Sequence, residues 1–208
     1  MSKSNLAVKE ELENVAAEDV IIINQNEQEN YRPSKDKEIR VNNNLSYLIM
    51  KKIVDIIAGI LGTILLVPLI AVVWFIRICL HENDGPLFFE QIRIGKNGKQ
   101  FRMYKFRTMV MEADEKLYRY LEENPEAKKE YKKYKKLKHD PRITKLGNIL
   151  RKTSLDEFPQ FVNILKGEMS LVGPRPYLYR EKEDLGEYYY NSITKVKPGI
   201  TGYWQVNG

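Results

Sequence analysis

Ile56-Ile57-Ala58-Gly59-Ile60-Leu61-Gly62-Thr63-Ile64-Leu65-Leu66-Val67-Pro68-Leu69-Ile70-Ala71-Val72-Val73-Trp74-Phe75-Ile76 is a run of 21 residues without a charge. At ~1.5 Å per residue it matches the roughly 30 Å of a bilayer's hydrocarbon core, so it predicts a membrane helix. Basic residues crowd both flanks. Arg32, Lys35, Lys37, Arg40, Lys51 and Lys52 precede the run; Arg77, Arg93, Lys96, Lys99, Arg102, Lys105 and Arg107 follow it. Cationic flanks favour the cytoplasmic side, and here both flanks want it. Pro68, near the middle, removes one backbone hydrogen bond and supplies a place to bend. On these residues a kinked spanning helix and a helix that enters and leaves on one face both stay open. Asp55 is expensive in lipid, so it is expected at headgroup level or paired with Lys51 or Lys52.

Ahead of this segment, residues 1–44 are polar, acidic early and Asn-rich, and read as a disordered tail. The apolar run starts far from Met1 and lacks a cleavage pattern, so the segment is expected to be retained. The net charge of +6 and a pI near 9.1 point to an anionic partner: phosphates, acidic lipid or nucleic acid. One cysteine, Cys79, excludes an internal disulfide, and two distant histidines argue against zinc. Cys79 reads as a buried or lipid-facing spectator. The division is therefore tail 1–44, membrane helix 45–80 and cytoplasmic domain 81–208.

After Gly85-Pro86, Leu87 to Ile94 and Lys99 to Thr108 read as strands of a hairpin around Gly95-Lys96-Asn97-Gly98. Glu112 to Lys138 reads as two helices broken at Asn124-Pro125. The second carries Lys128, Lys129, Lys132, Lys133, Lys135, Lys136 and Lys138, with Tyr131, Tyr134 and Leu137 on one side. It suits a surface resting on anionic lipid, or a charged helix packing its apolar side on the core. Nucleic acid is disfavoured, because no nucleic-acid module accompanies the lysines.

Arg151-Lys152-Thr153-Ser154-Leu155-Asp156-Glu157-Phe158-Pro159-Gln160 sets two adjacent carboxylates beside two cations. Pro159 fits the first helical turn, so a helix is expected to begin near Leu155 or Asp156. Phe158, Phe161, Val162 and Leu165 then share a face, and Gly167 ends it. A helix start would keep Asp156 ionised and offer donors to a phosphate. The same residues also suit plain capping, by Asp156 or by a Ser154/Glu157 capping box. Downstream, two prolines hold Arg175 in Gly173-Pro174-Arg175-Pro176, either to grip a phosphate or base or merely as part of a turn.

Together these motifs resemble the bacterial sugar transferases, monotopic phosphoglycosyl transferases that load a sugar phosphate onto polyprenyl phosphate. The resemblance covers Lys51 to Gly208. It rests on Lys105-Phe106-Arg107-Thr108-Met109, Asp140-Pro141-Arg142-Ile143-Thr144, the Arg151 to Glu157 run, the Pro-Arg-Pro turn and Lys197-Pro198-Gly199-Ile200-Thr201-Gly202, in that order. It implies an α+β fold: an α-rich catalytic domain with a small hairpin, seated on a re-entrant helix at the cytoplasmic face of the membrane.

The resemblance also implies a reaction. Asp156 attacks the β-phosphorus of a UDP-sugar, UMP leaves, and undecaprenyl phosphate takes up the phosphosugar to start exopolysaccharide, capsule or other glycoconjugate synthesis. Mg2+ is implied, held by Glu157 and Asp156. Arg151 matches the position that meets the polyprenyl phosphate; Arg175, framed by Pro174 and Pro176, contacts the nucleotide; Lys105 and Arg107 are weaker phosphate contacts. Gly202-Tyr203-Trp204-Gln205 is similar to members that handle galactose or glucose. Pairing of two copies stays open. Members usually continue past Gln205-Val206-Asn207-Gly208, so the chain is expected to be shortened at its C-terminus. An inactive shortened transferase and a non-catalytic basic membrane adaptor are the alternatives.

Overall fold

Asn44 opens the first helix: its side chain accepts the N–H of Ser46 at 3.0 Å. The computed structural model describes residues 42–82, 84–134 and 136–202, so the expected tail up to residue 41, and Tyr203 to Gly208, lie outside the described residues. Helix α1 runs Leu45–Cys79, 35 residues or ~52 Å. Pro68 lies inside it and the helix continues past it, so the chain makes no reversal there.

Gly59, Gly62, Leu66, Val73 and Arg77 are buried, and their spacing traces one stripe along α1. The rest of the helix is bare and apolar, with Leu61, Ile64, Leu65, Val67, Trp74 and Phe75 all more than half exposed. The apolar run is therefore amphipathic by contact although its sequence is apolar all round. Polar anchors sit near both ends. Asp55 accepts from Ser170 Oγ and Leu171 N, each at 2.9 Å, while Lys51 Nζ donates to Ser170 Oγ at 2.6 Å and to the Val172 carbonyl at 2.9 Å. Asp55 thus finds its partners at Ser170 and Leu171, and among the described residues it forms no ion pair with Lys51 or Lys52, the lysines expected beside it. At the far end Arg77 donates to the carbonyls of Glu82, Asp84 and Gly85.

The hairpin forms as its turn signal requires. Strands β1 (Phe88–Ile94) and β2 (Gln100–Phe106) pair antiparallel, Phe88 opposite Phe106 and Ile94 opposite Gln100. Asn97 and Gly98 take positive φ, 58° and 73°, in a 3-10 turn over Lys96–Gly98. Helices α2 (Ala113–Glu123) and α3 (Pro125–Tyr134) break at Asn124, with Pro125 as the first residue of α3. No residue of α3 is buried: Tyr131 is half-buried near Arg142, and Tyr134 is exposed. The core-packing alternative for its apolar side is thus largely lost.

Helices α4 (Lys145–Lys152) and α5 (Gln160–Leu165) carry the segment of interest. Strand β3 (Ser170–Val172) pairs parallel with β4 (Gly199–Thr201), and α6 (Lys182–Leu185) and α7 (Glu187–Ile193) lie between them. The fold is α+β. One core joins Leu66 and Val73 of α1 to Phe106, Leu146 and Leu150; a second joins Phe101 and Met103 of β2 to Ile164 and Met169. Gly62 permits the contact of α1 with α5, since a Cβ there would overlap the Phe161 ring.

Candidate active site

Thr144 caps α4 by accepting the Gly147 N–H at 2.9 Å. The helix ends at Thr153, and Ser154 at φ 56° redirects the chain into a 3-10 turn over Leu155–Glu157. In such a turn residues three apart eclipse, so Leu155 and Phe158 share a side, and both pack on the first core. These two apolar anchors leave Asp156 and Glu157 between them. The α-helix therefore starts at Gln160, later than the sequence suggests, with Pro159 as its N-cap residue. Gly167, at φ 75°, ends this segment as expected.

This geometry removes the capping reading of the carboxylates. Neither Ser154, which begins the 3-10 turn, nor Pro159, which begins α5, makes a side-chain capping bond. Asp156 and the Ser154/Glu157 pair are thus not helix caps. Yet Asp156 is only 9% exposed. Burial pushes its pKa up; Lys105 opposes this, Glu157 adds to it, and Arg151 and the residue's own N–H oppose it. The net direction is upward, contrary to the helix-start expectation, because six-residue α5 begins beyond Asp156 and desolvation dominates.

Lys105 Nζ lies 2.6 Å from Glu157 Oε1, both side chains about a quarter exposed. Arg151 Nε donates to Thr108 Oγ1 at 2.9 Å. Arg142 Nε and Nη2 donate to Oδ1 and Oδ2 of Asp140, a bidentate pair beside it. Burial pushes the Asp140 carboxyl up, but hydrogen bonds from Arg142, with the charges of Arg142 and Arg151, hold it below the ordinary range. The structure thus gathers Asp156, Glu157, Lys105 and Arg151. Arg107 is not among them: β2 ends at Phe106, and Arg107 turns to the Pro86 carbonyl at 2.9 Å and over the Phe89 ring.

Arg175 lies half exposed over the Tyr177 ring, 3.8 Å from Glu181. The turn that carries it is stitched down on both sides: Gly199 N donates to Pro174 O, and Arg93 Nη1 to Pro176 O. Arg93, in sequence one of several basic residues after the apolar run, takes a particular place here. Its charge bears on Glu157, Arg175 and Glu181, so it links the Pro-Arg-Pro turn to the carboxylate pair. Asn163 was not singled out in sequence. It is fully buried, accepts the Tyr104 N–H and donates to the Arg102 carbonyl and Glu168, locking α5 to β2. An asparagine within Phe161-Val162-Asn163-Ile164-Leu165 was the available signal.

Asp156 and Glu157 offer hard oxygen donors, and Lys105 takes only Oε1 of Glu157. Among the described residues no group of three or more His, Cys, Asp or Glu gathers, so these two carboxylates suit a cation such as Mg2+ that keeps other oxygen ligands.

The site is thus a buried carboxylate that caps no helix, set among cations, on a domain packed along one helix long and apolar enough to cross a membrane. Residues 46–208 match the bacterial sugar transferase family, and the chain belongs to it. It is 44% identical over 176 residues, 82% of its length, to an undecaprenyl-phosphate galactose phosphotransferase of Salmonella typhimurium. It is 42% identical over 163 residues to the exopolysaccharide production protein ExoY of Sinorhizobium fredii, covering 77% of this chain and 70% of that one. A UDP-glucose:undecaprenyl-phosphate glucose-1-phosphate transferase of Escherichia coli is 38% identical over 77% of this chain. The chain spans 36% of the Salmonella relative and 31% of the Escherichia one.

Proposed function

We propose that this protein transfers a hexose-1-phosphate from a UDP-sugar to undecaprenyl phosphate, at the cytoplasmic face of a membrane, through a phosphosugar-aspartyl intermediate. The observation that carries the reading is Asp156: buried, not a cap, and flanked by the cations Lys105 and Arg151. An Asp156 Oδ attacks the β-phosphorus, and the bond from that phosphorus to the bridging oxygen breaks, so UMP leaves with the oxygen. An oxygen of undecaprenyl phosphate then attacks the same phosphorus and restores the carboxylate. Neither step needs a proton moved, so Glu157 serves as ligand and charge partner instead of base. Arg151, whose terminal nitrogens have no partner among the described residues, neutralises the acceptor phosphate, and Arg175 the nucleotide. Asp156 and Glu157 would hold Mg2+, which when bound offsets the charge of the diphosphate.

The membrane reading rests on the anchors of α1. Lys51 and Arg77 are ~39 Å apart along the helix, more than a hydrocarbon core, and one polar domain holds both. A spanning helix would drag that domain into lipid. Both ends therefore lie on one side, with the bare apolar face in the bilayer and the exposed lysines of α3 available to anionic lipid. UMP release from UDP-galactose and UDP-glucose, with undecaprenyl phosphate present, tests the function; a chain that binds membranes but releases no UMP from any UDP-hexose contradicts it.

A further inference from the structure

We infer that the cavity at the C-terminal end of α1 binds the phosphate of a phospholipid headgroup, at a site separate from Asp156. The cavity measures about 250 Å³, and its wall carries Arg77, Arg107, Lys116 and Lys145 against Glu82 and Asp84. Glu82 is already committed: its carboxylate accepts the N–H groups of Lys145 and Leu146 at 2.8 and 3.2 Å, closing the start of α4. Arg77 is 7% exposed; among the described residues its donors go to backbone carbonyls, and it feels the charges of Glu82 and Asp84 without an ion pair to either. Arg107 donates to a carbonyl as well, and its charge bears on Arg77. Among the described residues none of the four cations has an ion-pair partner. A buried guanidinium with a second, half-buried one beside it calls for an anion, and phosphate oxygens match their paired donors.

Size and position choose the source of that phosphate. At about 250 Å³ the cavity falls just below the ~300 Å³ at which sites for drug-sized ligands begin, which suits a headgroup better than a nucleotide sugar. Its wall residues Arg77 and His81 are interleaved in sequence with Trp74, Phe75, Ile78 and Leu80, exposed apolar residues around the last turn of α1. Given the membrane reading above, on which this inference rests, that level is where headgroups lie. The site is not the reaction centre: Lys145 begins α4 and Arg151 lies in its last turn, ~9 Å further along. Bound there, a headgroup would fix the depth at which the transferase sits.

The full chain in detergent micelles, titrated by calorimetry with dihexanoyl phosphatidylglycerol, dihexanoyl phosphatidylcholine and inorganic phosphate, tests this. Phosphatidylglycerol should bind at least tenfold tighter than either of the others. Arg107→Gln should weaken it about tenfold, and Arg107→Lys should recover part of the loss. Lys116→Gln, an exposed change that leaves thermal unfolding unaltered, should weaken it two- to threefold. Wild-type affinity in both glutamine variants overturns the site, and equal affinity for inorganic phosphate overturns the lipid assignment. Because UMP release does not report headgroup binding, failure here and failure of the transferase reading are separately visible.

Discussion

Asp156 is a carboxylate placed where a carboxylate is costly. Burial raises its pKa above the ordinary 3.8, so between 3.8 and the native value the folded state holds more protons than the unfolded state. Its contribution to stability is therefore lost as pH rises through that window and regained as pH falls. Asp156→Asn should melt higher than wild type at pH 7, the difference closing as pH approaches 3.8 in a series of thermal melts. The same variant should lose at least ~10²-fold in UMP release, because the nucleophile is gone at nearly constant volume. An active site that costs stability shows this pairing; a structural carboxylate would show destabilisation with partial activity. The acid limb of kcat/KM should likewise lie above the range of an unperturbed aspartate. Arg175 makes the complementary case. Arg175→Lys keeps the charge but loses the planar fork, and should raise KM for the UDP-sugar about tenfold in steady-state kinetics.

Elements were legible where a local rule governs them. Asn97-Gly98 announces the hairpin turn and takes positive φ; Pro125 announces the start of α3; Gly167 announces the end of the α5 segment. The carboxylate pair and its cations Lys105 and Arg151 were legible too. Less was legible where a partner lies far along the chain. Periodicity marks Phe161 as facing inward, but not that it seats on Gly62 of α1; nor does Asp55 reveal Ser170, 115 residues away. The start at Gln160 was missed because a 3-10 turn and an α-helix share their opening residues, and the separation of Arg107 from Lys105 was not legible because strand β2 ends between them. The α1–α5 contact gives an element-scale test. Gly62→Leu should destabilise the protein by about 1–3 kcal/mol through overpacking against Phe161, read as a lowered melting temperature in detergent. Ile60→Val, on the bare face, should leave it unchanged.

At the scale of the whole molecule, one domain grips α1 from Lys51 to Arg77 and leaves an apolar face for lipid. Single cysteines at Asn43 and Lys99, in a Cys79→Ser background, should both resist a membrane-impermeant thiol reagent in intact cells and both react after lysis. Labelling of one alone in intact cells would make α1 a spanning helix. The covalent route makes a further demand on the intact chain: the first half-reaction must run without the acceptor. The full-length protein, freed of undecaprenyl phosphate and incubated with UDP-galactose or UDP-glucose and Mg2+, should release one UMP per molecule and gain the mass of a hexose phosphate on the peptide containing Asp156. UMP release that occurs only when undecaprenyl phosphate is present, with no adduct on that peptide, would contradict the account.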